Sequence, residues 1–365
     1  LNNIKSLNFF RSVKGEILND DVNKTKTINI SIEEKPTGEI FAGAGTGTNG
    51  TTISFGVREN NYLGKGVLLD TNASISADNI KGKFIVENPN YKNSDKSVNL
   101  SLEASEFDRL SGQGYKSNKT GFTTGTKFEY YDDLFLGISL ENFAEKVTVN
   151  DNASTRQKKN AGNFFDSFFG LDFNYDKRNQ KFATTDGFFS NYSIAMPVYS
   201  ETGTVKNSYN FKKFSELYEN NVSTISLSLS SSFSINDENI KLSERLFIPG
   251  SKLRGFERGK VGPKDGSDFI GGNYLTTINM TTSLPQLLEN SQTIDFIAFF
   301  DAANVWGVDY DSNLDDKNDN IRSSVGLGLN WLTPIGPLSF SYAEPITKND
   351  TDIIEKFRFN LGTTF

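Results

Sequence analysis

Ile225-Ser226-Leu227-Ser228-Leu229-Ser230 is the stretch that decides the fold, because apolar and hydroxyl side chains alternate strictly along it. Successive side chains of a β-strand point to opposite faces, so this stretch predicts a strand with one apolar and one polar face. The same alternation recurs at Val98–Ala104, Leu338–Ala343 and Phe357–Phe365. Such strands suit either a sandwich or a lipid-facing barrel. The polar faces are rich in Ser, Asn, Thr and Gly, which favours a barrel with a watery lumen.

The composition agrees with a barrel. Only 36% of the 365 residues are hydrophobic, but 13% are aromatic, with 31 Phe and 13 Tyr. Mean hydropathy is −0.45. Every second strand residue of a membrane barrel faces water, so aromatic richness with modest hydropathy is typical of that class. No apolar run approaches the roughly 18 residues that a transmembrane helix needs.

Charge and missing residue types exclude several functions. The net charge of −7 argues against a nucleic-acid partner, which usually needs a basic patch. The chain contains no Cys and no His, which removes disulfide frameworks, thiolate metal sites, Ser-His-Asp triads and His-based zinc sites. We therefore expect no enzyme, no cofactor and no metal site.

The alternation predicts 16 strands, an even number as in bacterial barrels. Both chain ends then lie on one side of the membrane. The longest connection, roughly residues 237–268, starts from the outer face, and short turns such as Tyr131–Asp133 and Pro334–Ile335 lie on the other side. The predicted strands lie near residues 38–47, 51–60, 66–78, 80–88, 96–107, 119–131, 133–147, 164–176, 187–199, 204–218, 222–236, 269–283, 292–304, 321–333, 336–345 and 355–365.

Residues 1–35 differ from the barrel at 36–365. Leu1–Arg11 could form a short helix, and Ser12–Ile17 and Thr27–Glu33 predict two strands. One helix and two strands are too little to bury a core, so we expect the end of a small α/β domain whose start is missing. No signal peptide opens the chain.

Two short motifs are only weak signals of a ligand-binding site. Gly45–Gly50 matches the G-x-G-x-x-G pattern of dinucleotide sites, but a strand pattern follows it where that site needs a helix. A hairpin turn is the better interpretation, and the glycines predict a weakly pairing first strand. Asp309–Asn320 begins like a calcium loop but lacks its glycine and its final glutamate, which favours a solvated acidic loop.

Arg254 stands out in the long connection. It could belong to a basic surface turn, or it could reach into the barrel and pair with a carboxylate. Asp301 is a candidate partner, because the alternation of Ile294–Ala302 turns Asp295 and Asp301 inward. A charge facing lipid would cost roughly 2–4 kcal/mol near the midplane.

Several longer stretches resemble the family of BamA-like proteins, which assemble β-barrels in the bacterial outer membrane. The resemblance covers nearly the whole chain, and residues 1–35 are similar to the end of the last periplasmic POTRA domain. The stretches that carry it are Asn61–Gly66, Leu253–Phe256, Val261–Lys264, Ile270–Asn273, Ile321–Ser323, Trp331–Ala343 and Phe357–Phe365.

The resemblance implies insertion and folding of β-barrel proteins through a seam between the first and last strands. The seam opens sideways, and a substrate strand pairs with the exposed edge. The implied partners are unfolded outer-membrane β-barrel proteins, outer-membrane lipids, lipoprotein subunits and periplasmic chaperones. The seam would contain Ile40, Ala42, Gly43, Gly45 and Gly47 of the first strand and Phe357, Phe359, Leu361, Gly362 and Phe365 of the last.

The resemblance also implies that Leu253, Arg254, Gly255 and Phe256 fold into the lumen, with Arg254 paired to Asp301. This chain departs from the family at two places. Thr281 stands where a Glu is usual, and Ala303 stands where a Gly is usual. We expect the first and last strands to be neighbours with few hydrogen bonds, so that cysteines at Ala42 and near Leu361 crosslink.

Other functions remain open at this stage. A passive porin would explain the barrel but not residues 1–35 or the loop motif. A related POTRA-barrel transporter would export one secreted partner or assemble autotransporters. An adhesin or receptor barrel would place its specificity in the outer loops.

Overall fold

The computed structural model describes residues 9–20, 25–48, 50–181, 184–218, 221–285, 293–309, 320–333 and 336–362. In these residues, 16 strands close into one antiparallel barrel in chain order, which confirms the predicted architecture. The same residues include no helix long and apolar enough to cross a membrane. The barrel strands are β1 Gly38–Gly47, β2 Gly50–Tyr62, β3 Val67–Ser76, β4 Asn79–Asn88, β5 Lys96–Arg109, β6 Tyr115–Tyr131, β7 Leu134–Val149, β8 Gly162–Asp176, β9 Gly187–Tyr199, β10 Thr204–Tyr218, β11 Asn221–Ser234, β12 Tyr274–Ser283, β13 Ile294–Trp306, β14 Arg322–Thr333, β15 Gly336–Thr347 and β16 Phe357–Gly362.

The barrel is inside out relative to a water-soluble protein. Ile225 and Leu229 on β11 are 47% and 40% exposed, whereas Ser226 and Ser228 between them are buried. A soluble fold would bury the two apolar side chains and expose the two serines. The outward apolar row therefore faces hydrocarbon, and the inward polar row lines the lumen.

Most strand boundaries lie within a few residues of the prediction, and two differ because nearby residues pair elsewhere. The strand predicted from 269 begins at Tyr274, because Asp268–Phe269 pair instead with Lys264–Asp265 in a small hairpin. The strand predicted over 355–365 is Phe357–Gly362 among the described residues, because Ile354–Glu355 pair with Gly255–Phe256 of the long connection. Phe365 lies outside the described residues.

The turns fall where the sequence predicts them. The pair Gly47–Gly50 closes the β1–β2 hairpin, so the G-x-G-x-x-G motif is a turn between strands. Residues 63–66 connect β2 to β3, and Asp132 and Asp133 connect β6 to β7. Pro334–Ile335 and all but the ends of the acidic 309–320 segment lie outside the described residues.

Phe10–Asp20 and Thr25–Glu34 form a separate two-stranded antiparallel ribbon. Most of the predicted N-terminal helix lies outside the described residues, but Phe10 and Arg11 belong to the ribbon, so that end of the helix prediction is wrong. Backbone pairing of Phe10 with Glu34 across the ribbon outweighs the local helical spacing of apolar residues.

The connection between β11 and β12, residues 235–273, folds into the lumen and supplies much of the buried core. It contains short 3-10 turns at Leu242–Glu244 and Gly250–Lys252. Its apolar side chains pack on the inner faces of β12 and β13. This cluster consists of Ile248, Leu253, Phe256 and Val261 from the connection and Leu275, Ala303 and Val305 from the wall.

Candidate functional site: the seam and the luminal loop

The barrel closes through a short seam between β16 and β1. Three residue pairs join these strands, Asn360 with Gly47, Leu361 with Thr46 and Gly362 with Gly45. By contrast, β1 forms ten pairs with β2 on its other side. Thr48 extends the seam slightly, since its backbone N–H donates to the Phe359 carbonyl at 3.0 Å. The prediction that the end strands are neighbours is confirmed, and few pairs join them among the described residues.

Glycines let the two end strands approach closely. A Cβ atom at Gly47 would lie 2.5 Å from the Phe359 carbonyl oxygen, and one at Gly362 would lie 2.5 Å from the Ala44 carbonyl oxygen. Gly362 also has a φ of +111°, which glycine adopts readily. Glycine at these positions therefore permits the seam to close, besides removing side chains that would strengthen it.

The described part of the seam covers the outer end of β1. Its last pair is Gly362 with Gly45, and the residues after Gly362 lie outside the described residues. Ile40 is 77% exposed. Leu361 lies opposite Thr46, so the expected crosslink from Ala42 to Leu361 itself has the wrong register.

The outward face of β16 is apolar. Phe357 and Phe359 are exposed on the lipid side, and the Phe357 ring stacks on that of Phe340 at 6.1 Å. Leu361 follows on the same face. The alternate residue Arg358 points inward and is buried.

Arg254 and Asp301 meet inside the lumen. The Arg254 Nε and Nη2 atoms each lie 2.7 Å from a different oxygen of the Asp301 carboxylate. The Arg254 backbone N–H also donates to that carboxylate at 3.1 Å. Asp301 is fully buried, and the guanidinium carbon of Arg254 lies 3.3 Å from the centre of the Phe299 ring. This fork is the bidentate geometry for which arginine is suited.

Sequence reasoning missed two further partners of this pair. The Asn279 side chain donates to the Asp301 carboxylate at 2.8 Å and to the Lys252 carbonyl at 2.8 Å. The Ser324 hydroxyl donates to the Arg254 carbonyl at 2.6 Å. The inward parity of β12 could have singled out Asn279. Thr281 pairs with Phe299 instead, so Asn279 rather than Thr281 completes the site.

The rest of the loop motif packs around the ion pair. Leu253 and Phe256 are buried in the luminal core. Gly255 has a φ of +91°, and a Cβ there would lie 3.2 Å from the Ala343 Cβ. A larger residue at this position would strain both the backbone and the contact with β15. Ala303 is buried beneath the same cluster.

A second charged cluster, which the sequence did not reveal, holds the first half of the loop. Lys241 is 1% exposed, and its ammonium contacts Glu145 of β7, Asp166 of β8 and Glu244 of the loop. Lys206 of β10 lies 3.0 Å from Glu244. The loop is therefore held by β7, β8 and β10 through Lys241 and Glu244, and by β13 through Arg254.

The cluster keeps its charges by mutual compensation. Burial favours the neutral form of Lys241, but Glu244 and the neighbouring wall carboxylates outweigh it and raise the pKa of Lys241. Burial likewise opposes ionisation of Glu244, but Lys206, Lys241 and the Thr204 hydroxyl outweigh it and lower the pKa of Glu244. Lys241 and Glu244 are therefore charged near neutral pH.

Comparison with known proteins agrees with this geometry. Residues 61–365 match the Omp85 superfamily domain. The chain belongs to the Omp85 superfamily. Two curated relatives of this Omp85 chain are the outer membrane protein assembly factor BamA of Neisseria meningitidis serogroup B, 25% identical over 93% of this chain and 48% of its own, and a SAM50-like protein of Schizosaccharomyces pombe, 26% identical over 100% of this chain and 78% of its own.

Two solved structures share the fold of this chain. BamA from Haemophilus ducreyi lacking POTRA domains 1–3 superimposes with a TM-score of 0.87 at 24% identity, over 100% of this chain and 77% of that one. CdiB from Acinetobacter baumannii gives a TM-score of 0.63 at 13% identity, over 99% of this chain and 67% of that one. The resemblance to BamA is thus confirmed, and the chain is a barrel of the bacterial outer membrane. It spans about half the length of the curated BamA relatives it matches.

Proposed function

We propose that this chain is the membrane-embedded part of a factor that folds β-barrel proteins and inserts them into the bacterial outer membrane. The observation that carries the proposal is the seam, where three pairs join the last strand to the first among the described residues, against ten pairs between β1 and β2. The BamA relatives are named as outer membrane protein assembly factors, which points the same way.

An open strand edge suits a substrate that is itself a β-strand. Unpaired backbone N–H and C=O groups are prohibitive in hydrocarbon, so a strand that enters the bilayer needs a partner at once. Once a seam with so few described pairs separates, the β1 edge would offer a row of such groups at the barrel wall. We propose that the last strand of an incoming barrel pairs with β1 by strand addition.

This function involves no covalent step. The chain would template backbone hydrogen bonds and disturb the bilayer beside the seam, so none of its residues needs to act as nucleophile, acid or base. We propose no catalytic residue and no cofactor. The implied partners are unfolded outer-membrane β-barrel proteins and outer-membrane lipids, with lipoprotein subunits and periplasmic chaperones. The ribbon of residues 10–34 would be the end of a periplasmic POTRA domain.

Locking the seam tests the proposal. The chain has no native Cys, so a disulfide can form only between introduced cysteines. Cysteines at Thr46 and Leu361, which lie directly opposite each other, would join β1 to β16 when oxidised. The oxidised variant, reconstituted in lipid vesicles, is expected to lose its acceleration of the folding of an unfolded outer-membrane barrel protein. Reduction of the disulfide should restore the acceleration.

The matched control is a cysteine pair at Leu100 and Thr124. These residues form the same Leu–Thr combination, directly opposite each other on β5 and β6 in the continuous wall. Oxidation there should leave the acceleration unchanged. Full acceleration by the chain locked at the seam would refute lateral opening.

A further inference from the structure

Arg358 joins the last strand to the luminal loop. It points inward from β16, and its side chain is 9% exposed. Its guanidinium donates to the backbone carbonyls of Gly250 and Phe256, which lie on either side of Arg254 in the loop. Its Nε atom donates to Glu355 at 2.6 Å, so this carboxylate balances the buried charge.

The backbone just before β16 also pairs with the loop. Gly255 and Phe256 form a two-residue ladder with Glu355 and Ile354. The Glu257 N–H donates to the Ile353 carbonyl at 2.8 Å, and the Ile353 N–H donates to the Lys260 carbonyl at 3.1 Å. The residues just before β16 therefore pair with the luminal loop, and the residues of β16 itself belong to the barrel wall.

The luminal loop and the residues before β16, which pair with each other, are each anchored to another part of the barrel. The loop side is anchored by the Arg254–Asp301 pair on β13. The other side is anchored by Asp352, which is buried against the Arg322 guanidinium of β14 at 3.1 Å. A path of ion pairs and hydrogen bonds thus runs from the β13–β14 wall through the loop to the last strand.

We propose that Arg358 is a positioning residue that couples the seating of the luminal loop to closure of the seam, an inference that rests on the proposed function. With the loop seated, Arg358 holds β16 in the wall, and the seam stays closed. When the loop leaves Asp301, Arg358 loses its acceptor carbonyls, and the seam opens more readily. The loop then regulates access to the strand-addition edge.

Spin labels on cysteines at Thr46 and Leu361 measure the coupling without any substrate. Electron-spin distance measurements on the reconstituted chain give the ratio of separated to closed seams. Arg358→Gln is expected to raise this ratio about tenfold, equivalent to about 1.4 kcal/mol, because charge-assisted hydrogen bonds to the loop are lost. Arg358→Lys should recover only part of the closure, since an ammonium lacks the planar fork.

A substitution at Asp301, where the loop is anchored, tests the coupling itself. Asp301→Asn should raise the same ratio when Arg358 is present and add little when Arg358→Gln is already in place. Lys356→Gln, which removes a neighbouring charge that pairs with exposed Glu344 at 2.7 Å, should leave the ratio unchanged. Heat-modifiability on gels establishes that each variant is folded, and Glu355→Gln replaces Arg358→Gln if the latter does not fold.

An unchanged ratio in folded Arg358→Gln, or an equal effect of Asp301→Asn with and without Arg358, would overturn the coupling. Either result would leave the seam-locking experiment free to succeed. Conversely, the chain could show the expected changes in this ratio and yet fail to accelerate the folding of a substrate. That result would refute the proposed function and support the coupling.

Discussion

Replacing Arg254 by Ala is expected to destabilise the barrel strongly, because it leaves a carboxylate in a place that water does not reach. Asp301 is 0% exposed and accepts two side-chain hydrogen bonds from Arg254. After the substitution, the Asn279 amide and one backbone N–H remain as donors. These two donors provide hydrogen bonds to the oxygens of the Asp301 carboxylate, but they do not neutralise its charge.

The magnitude follows from burial and geometry. Breaking a buried pair by removing one partner usually costs about 3–5 kcal/mol, since the remaining charge is uncompensated. Arg254→Ala should fall within this range. Asp301→Ala should cost slightly less, because the Arg254 side chain is 16% exposed and can turn toward lumen water. The double substitution should be less than additive, with a coupling of at least about 1 kcal/mol.

Equilibrium unfolding in urea, with the barrel in lipid vesicles, measures the four free energies of the cycle. The control cycle removes Arg11 and Glu33, an ion pair of the exposed ribbon with side chains 68% and 58% exposed. Exposed pairs contribute about 1 kcal/mol or less, so this control should show little coupling. Strict additivity at Arg254 and Asp301 would refute the view that the pair anchors the loop.

Three further outcomes are expected. Lys241→Gln removes the cation shared by three carboxylates, so the loop should loosen and single-channel conductance in planar bilayers should rise; steady low conductance would contradict a role in plugging. The pKa of Glu244 is lowered from 4.5 by Lys206 and Lys241 against its burial, so its stabilising contribution is present above that value and is lost as pH falls below it; protease cleavage of the loop should therefore increase only in acid. Phe365→Ala should lower the amount of folded barrel in the membrane, since the alternation of the last predicted strand places this aromatic on the lipid-facing parity; unchanged levels would reject a role in the chain's own assembly.

The strands were predictable because the barrel repeats one simple constraint. A residue that faces hydrocarbon must be apolar and its neighbour on the lumen side need not be, so alternation such as Ile225–Ser230 identifies each strand. The same parity turned Asp301 inward. The choice of Arg254 as its partner came from the chemistry of the fork and from family resemblance.

The remaining contacts depend on the path of the loop, which periodicity does not encode. Lys241 and Arg358 are single charged residues in unremarkable surroundings, and only the folded connection brings them to their partners. Asn279 was within reach of parity but carries no charge that would single it out. The ribbon contradicted a local helical pattern at Phe10 because pairing across two strands outweighs local spacing.

Capture of a substrate strand at the open edge tests lateral strand addition most directly. A cysteine at Ala42 on the exposed face of the β1 edge and a cysteine in the last strand of an unfolded outer-membrane barrel substrate would be mixed under mild oxidation during folding. The matched control is a cysteine at Ala104, which is also exposed on the outer face but belongs to β5 in the continuous wall. Disulfide adducts at Ala42 and none at Ala104 are expected, and equal or absent adducts at both positions would contradict strand addition at β1.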